Sequence, residues 1–133
     1  MKIDGRDVWP LLAGDADAKS PQAAYFIYYA NNQLQAVISG NWKLILPHTY
    51  RTLGDQPRAT GGVPIKYHDV KVSKSELYDL NADTGETTDV ASANPEVVAR
   101  LATLADEMRA DLGDSLTEQK GAGVRPAART NTP

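Results

Sequence analysis

"AAYFIYYANNQLQAVISGNWKLILP" spans residues 23–47. It is rich in β-branched and aromatic residues, which suit a pleated, half-buried backbone, and it is cut by two turn signals, Asn31-Asn32 and Gly40-Asn41. Asn tolerates the positive φ of a type I′ turn, and Gly at the first central position suits type II′. The spacing predicts three antiparallel strands. With two-residue turns, Ala30 faces Gln33 and Ser39 faces Trp42. One side of the sheet then carries Tyr25, Ile27, Tyr29, Leu34, Ala36, Ile38 and Ile45, and the other carries Phe26, Tyr28, Val37, Trp42, Leu44 and Leu46. An antiparallel sheet with one solvated face alternates apolar with polar residues, so two apolar faces imply cover on both sides.

Downstream, "NPEVVARLATLADEMRADL" predicts a helix over 94–112. Asn94 can cap it by accepting a free N–H, Pro95 suits the first helical position, and Gly113 ends it. Val97, Leu101, Leu104, Met108 and Leu112 form one apolar stripe, widened by Val98 and Ala105, which reads as core packing. Glu96 precedes Arg100 by four, the order that favours a helical ion pair. "SELYDL" (75–80) can add a fourth strand, and "DVWPLLAG" a short helical turn. Neither covers a whole second face, so cover from outside the chain is expected there, or from a second copy in a homo-oligomer. The fold class expected is α+β: a small antiparallel sheet of four strands, from 24–47 and 75–80, on one long C-terminal helix, with the folded part ending at Leu112. The segment 113–133, rich in Gly, Pro, Thr and Ala, reads as a flexible tail.

Between the third and fourth strands runs "HTYRTLGDQPRATGGVPIKYHDVKVSK" (48–74), a connection long enough to suggest function or docking on a partner. It sets Arg51, Arg58, Lys66, Lys71 and Lys74 against Asp55 and Asp69, a cationic loop in a chain of net charge −3. Such a loop favours an anionic ligand, although scattered surface lysines alone give the same composition.

At 133 residues the chain is of single-domain size, with 41% hydrophobic and 23% charged residues. Its negative balance argues against nucleic acid or an anionic membrane as the main partner. Without cysteine there is no disulfide scaffold, thiolate metal site or cysteine nucleophile in this sequence. No apolar run reaches the roughly 18 residues of a membrane span, and no signal peptide is read at the N-terminus. The compartment is left open.

His48 and His68 are the only histidines and lack a metal-ligand spacing. Asp79, Asp83, Glu86 and Asp89 lie in "YDLNADTGETTD", which reads as a turn between strand and helix, without the ligand spacing of a calcium loop. No G-x-S-x-G elbow occurs, and "GAG" lacks the strand and helix of a phosphate loop. No catalytic residue and no metal site are assigned to this sequence.

The series "IDGRDVWPLLAG", "LQAVISGNWKLIL", "ELYDLNADTGETTDVASANPEVVARL" and "RADLGDS" resembles, in that order, the C-terminal subdomain of the arylsulfatase-type sulfatases. The resemblance spans nearly the whole chain. It departs from the family pattern at Ile38, Thr84 and Asp89, where the family usually has Arg, Pro and Asn. It implies a small sheet and C-terminal helix packed on a large α/β catalytic domain, which would be the partner. The family's formylglycine motif, C/S-x-P-x-R, does not occur here. Formylglycine and a calcium or magnesium ion are therefore expected in the complete parent, for which a periplasmic or secreted location stays open. The resemblance further implies that the loop starting at His48 reaches the substrate cleft, with His48 facing a sulfated substrate. Tyr50 and Arg51 are added on chemical grounds: an aromatic platform and a fixed cation suit a sulfate ester. The reading from another class is a non-catalytic binding module that uses its two-faced sheet and cationic loop.

Overall fold

The computed structural model describes residues 5–57 and 59–127. A helical turn, α1 (Trp9–Leu12), precedes three strands, β1 (Tyr25–Tyr29), β2 (Gln33–Ser39) and β3 (Trp42–Ile45). Two further strands follow, β4 (His48–Thr52) and β5 (His68–Val72), and then β6 (Glu76–Asp79). A 3-10 turn (Ala91–Ala93) leads into the long helix α2 (Pro95–Leu112), after which β7 (Gly113–Asp114) and β8 (Gln119–Lys120) form a small hairpin. The main sheet is antiparallel in the order β1-β2-β3-β6, with α2 across one face. The α+β class and the four-stranded sheet agree with the sequence reading.

The register holds at one turn and shifts at the other. Ser39 pairs with Trp42 across Gly40-Asn41, as expected. At the first turn Tyr29 pairs with Gln33, so the loop has three residues, Ala30 to Asn32, with positive φ at Ala30 and Asn32. A bulge restores the expected pairing from Ile27↔Ala36 onward. Its effect is to turn Leu34 to the opposite face from the one strict alternation assigns. Leu34 pairs with Tyr28 and joins Val37, Leu44, Leu46 and Leu77 in the core, packed on Leu101 and Ala105 of α2.

The other face keeps Tyr25, Ile27, Tyr29, Ala36, Ile38 and Ile45, joined by Lys43, Glu76 and Tyr78. Here Lys43 meets Glu86 at 2.6 Å, and the Tyr78 hydroxyl donates to Glu76 at 2.8 Å. Tyr25 and Tyr29 remain exposed.

Three helix expectations are corrected. Asn94 is the N-cap residue, but its side chain donates backward to Val90 O (2.9 Å), because the preceding 3-10 turn presents that carbonyl first. Arg100, placed by sequence to pair with Glu96, reaches Ser39 Oγ (3.1 Å). Leu112, the last residue of the expected stripe, is exposed.

Residues 113–120 likewise depart from the flexible tail. Gly113 has φ 81°, and a Cβ there would lie 2.7 Å from Gln119 O, so only glycine lets the chain fold back on itself. Asp114 is fully buried. Its Oδ1 accepts the Leu34 and Leu116 N–H groups, and its Oδ2 takes Arg109 Nε at 2.9 Å. The Tyr28 hydroxyl donates to Gly113 O, and Asn32 Nδ2 to Leu112 O. The bulge that leaves the Leu34 N–H needing an acceptor and the hairpin that supplies one are thus parts of one arrangement.

Candidate functional site

The connection 48–74 is not without internal structure. β4 and β5 pair antiparallel from His48↔Val72 to Thr52↔His68, forming a two-stranded ribbon. Its alternation of His48, Tyr50 and Thr52 against Val70 and Val72 is a period-two signal that marks a hairpin. Lys74 lies 3.7 Å from Asp89, which takes one cation of the loop into the turn beneath. Arg58 lies outside the described residues.

Between the ribbon and the loop end of β1–β2 is a groove of about 790 Å³. Tyr50, Arg51, Thr49 and Tyr67 line it from the ribbon, and Tyr29, Ala30, Gln33 and Gln35 from the sheet. The Arg51 guanidinium sits 5.5 Å from the centre of the Tyr67 ring, a cation–π arrangement that fixes the charge against an aromatic wall. Gln35, buried at the bulge, donates to Gln33 Oε1 at 3.0 Å. The groove combines aromatic faces, amides and one permanent cation, a set suited to a flat or ring-containing ligand that carries negative charge.

The three sequence-selected residues divide. Tyr50 and Arg51 both line the groove. His48 sits in the adjoining depression with Lys71 and Leu116, its ring centre 5.9 Å from that of Tyr50. His48 Nδ1 is 2.7 Å from Leu46 O. A carbonyl only accepts, so Nδ1 donates this bond, and in the tautomer that carries its single proton there Nε2 is the acceptor. Sequence reasoning missed Tyr67 and the sheet residues Tyr29, Gln33 and Gln35. The hairpin pattern could have placed Tyr67 beside β4; the sheet contribution has no local signal.

The acidic residues are occupied by the fold. Asp83 Oδ2 accepts the Thr87 and Thr88 N–H groups at 2.7 and 2.8 Å, and Asp89 Oδ1 accepts those of Leu77 and Ala91. Asp79 Oδ1 accepts from Asn41 Nδ2 and the Asn81 N–H. These bonds favour the ionised form and hold all three carboxyls below the usual Asp value. Among the described residues no group of three or more His, Cys, Asp or Glu is placed to hold a metal ion.

Comparison with known proteins completes the picture. The family model described as the C-terminal region of aryl-sulfatase matches residues 20–131. No curated protein matches the chain. A solved Bacteroides thetaiotaomicron protein, BT33336S-sulf, from work on the metabolism of multiple glycosaminoglycans, is similar at 30% identity with a TM-score of 0.53. The match covers 80% of this chain and 20% of that one, so this chain spans about a fifth of its relative's length. With the family model matching most of its length, and with the sheet and helix that the resemblance implied, the chain belongs to the C-terminal region of the arylsulfatase family.

Proposed function

We propose that these residues complete a sulfatase, a sulfuric ester hydrolase, whose catalytic domain is supplied by the rest of the parent, and that the β4–β5 ribbon walls its substrate cleft. The groove carries this reading: Arg51, Tyr50 and Tyr67 converge with Tyr29 and Gln33 on a single open trough. A guanidinium presents paired N–H donors that match the oxygens of a sulfate. The tyrosine faces support the body of the ester, and His48 Nε2, beside Tyr50, accepts from a donor on it. These groups bind and orient. Formylglycine and a calcium or magnesium ion, expected in the parent, supply the nucleophile and the charge neutralisation at sulfur. The chain alone is therefore not catalytically competent.

The test is turnover of an aryl sulfate and of a sulfated saccharide, with calcium or magnesium added. The 133-residue chain is expected to give none. In the complete parent, Arg51→Ala, Tyr50→Ala and His48→Ala should each lower kcat/KM by about 10- to 150-fold, the scale of one hydrogen bond to a charged group, with an unchanged Tm. Metal-dependent turnover copurifying with the chain would refute the non-catalytic assignment. Unchanged kcat/KM in all three variants would return the groove to ordinary surface.

A further inference from the structure

The N-terminal turn is an exposed apolar feature that neither the core nor the groove uses. Trp9 is 69% exposed and Leu12 74%, with Val8 and Leu11 also exposed, and α1 has no buried residue. A four-residue helix has no stability of its own, since isolated helices below about 12 residues are marginal in water. This one is held locally. Asp7 Oδ1 accepts the Trp9 N–H at 2.8 Å, Pro10 pre-sets the first turn, and the Ala13 N–H closes on Trp9 O at 2.8 Å. Arg6 ties the segment to the body through Pro21 O (2.8 Å). The chain thus presents a preformed knob of Trp and Leu side chains to solvent, an arrangement uncommon on proteins that stay monomeric.

We infer that the Val8–Leu12 turn is an anchor that inserts Trp9 and Leu12 into an apolar recess on the catalytic domain of the parent sulfatase, and that the grip between the two parts depends on it. The inference rests on the sulfatase reading above and adds the residues that make the contact. Two observations select this occupant. The matched family region begins at residue 20, so the turn lies on the upstream side of the C-terminal region, toward the catalytic part. The related solved chain is about five times as long as the stretch it shares with this one, which leaves a large body to supply the recess. Preorganisation by Pro10 and Asp7 reduces the ordering cost on docking, as suits an anchor.

The experiment co-expresses the 133-residue chain with the tagged catalytic domain of its parent and measures retention and affinity, for wild type and for Trp9→Ser, Leu12→Ser and the double variant. Both side chains are exposed, so circular-dichroism melts of the variant chains should match wild type. The expected result is retention of wild type and loss of about 30-fold or more in affinity for Trp9→Ser, the scale of a buried aromatic hot spot. Equal retention of wild type and double variant overturns the anchor while leaving the sulfatase reading standing. No retention of wild type likewise overturns the anchor, while the sulfatase reading is decided by the turnover assays above. Trp9-dependent self-association, or Trp9-dependent binding to phosphatidylserine vesicles, without retention by the catalytic domain, also overturns the anchor.

Discussion

Replacing Asp114 by Ala tests whether residues 113–120 belong to the folded core. The side chain is fully buried, with three short partners: the Leu34 and Leu116 N–H groups and Arg109 Nε. Its removal leaves a buried backbone N–H at Leu34 without an acceptor, which costs about 1 to 3 kcal/mol. It also breaks a buried ion pair, for which about 3 to 5 kcal/mol is usual. Arg109 retains Asp106 at 2.9 Å, however, and that aspartate is largely exposed, so the ionic part falls below the usual range. Together these give a loss of about 3 kcal/mol, or about 12 °C in Tm for a domain of this size. Asp114→Asn preserves an acceptor for the N–H groups and loses only the charge, so its loss should be about half as large. In the Asp114→Ala background, Arg109→Ala should add less than it costs alone, since the two share one interaction. Thermal and urea melts of wild type and the four variants provide the measurement. A Tm within about 2 °C of wild type for Asp114→Ala would refute the coupling of the terminal hairpin to the sheet and return this segment to a loose arm.

Other outcomes follow from the same structure. Leu101→Ala, at a fully buried helix position, should cost about 2 to 5 kcal/mol, while Leu112→Ala, on the exposed end of the stripe, should cost well under 1 kcal/mol; urea midpoints compare them. Tyr78, its pKa pushed up to about 12 by burial and by its hydrogen bond to Glu76, holds its proton more tightly folded than unfolded. Its stabilisation is complete below pH 10 and is lost as pH rises toward 12, a fall of up to about 3 kcal/mol that Tyr78→Phe should remove from the pH–stability profile. The isolated chain should bind a hydrophobic dye or self-associate through the face bearing Tyr25 and Tyr29 or through the Trp9 turn, and a dye-silent strict monomer by light scattering would contradict that exposure.

Much of the architecture is written locally. The turn at Gly40-Asn41, the strands on either side of it, the fourth strand at 76–79 and the helix between Pro95 and Gly113 all follow from periodicity and from residues with special backbone preferences. Those signals act within a few residues, so a single sequence carries them. Tyr50 and Arg51, singled out for guanidinium and phenol chemistry that does not depend on neighbours, both line the groove. The face of Leu34 was not legible. It depends on a bulge whose freed N–H is satisfied by Asp114, eighty residues away, and no local pattern encodes an acceptor at that distance. The same holds for the groove, whose Tyr29, Gln33 and Gln35 come from the sheet and whose Tyr67 comes from the far end of the ribbon. Composition read residues 113–133 as a tail, yet within 113–120 one buried carboxylate, Asp114, outweighed the scarcity of apolar residues, and residues 128–133 lie outside the described ones. Local propensity determined which elements form. Long-range hydrogen bonding to buried backbone groups, which cannot be left unpaired away from water, decided which faces they present and where they meet.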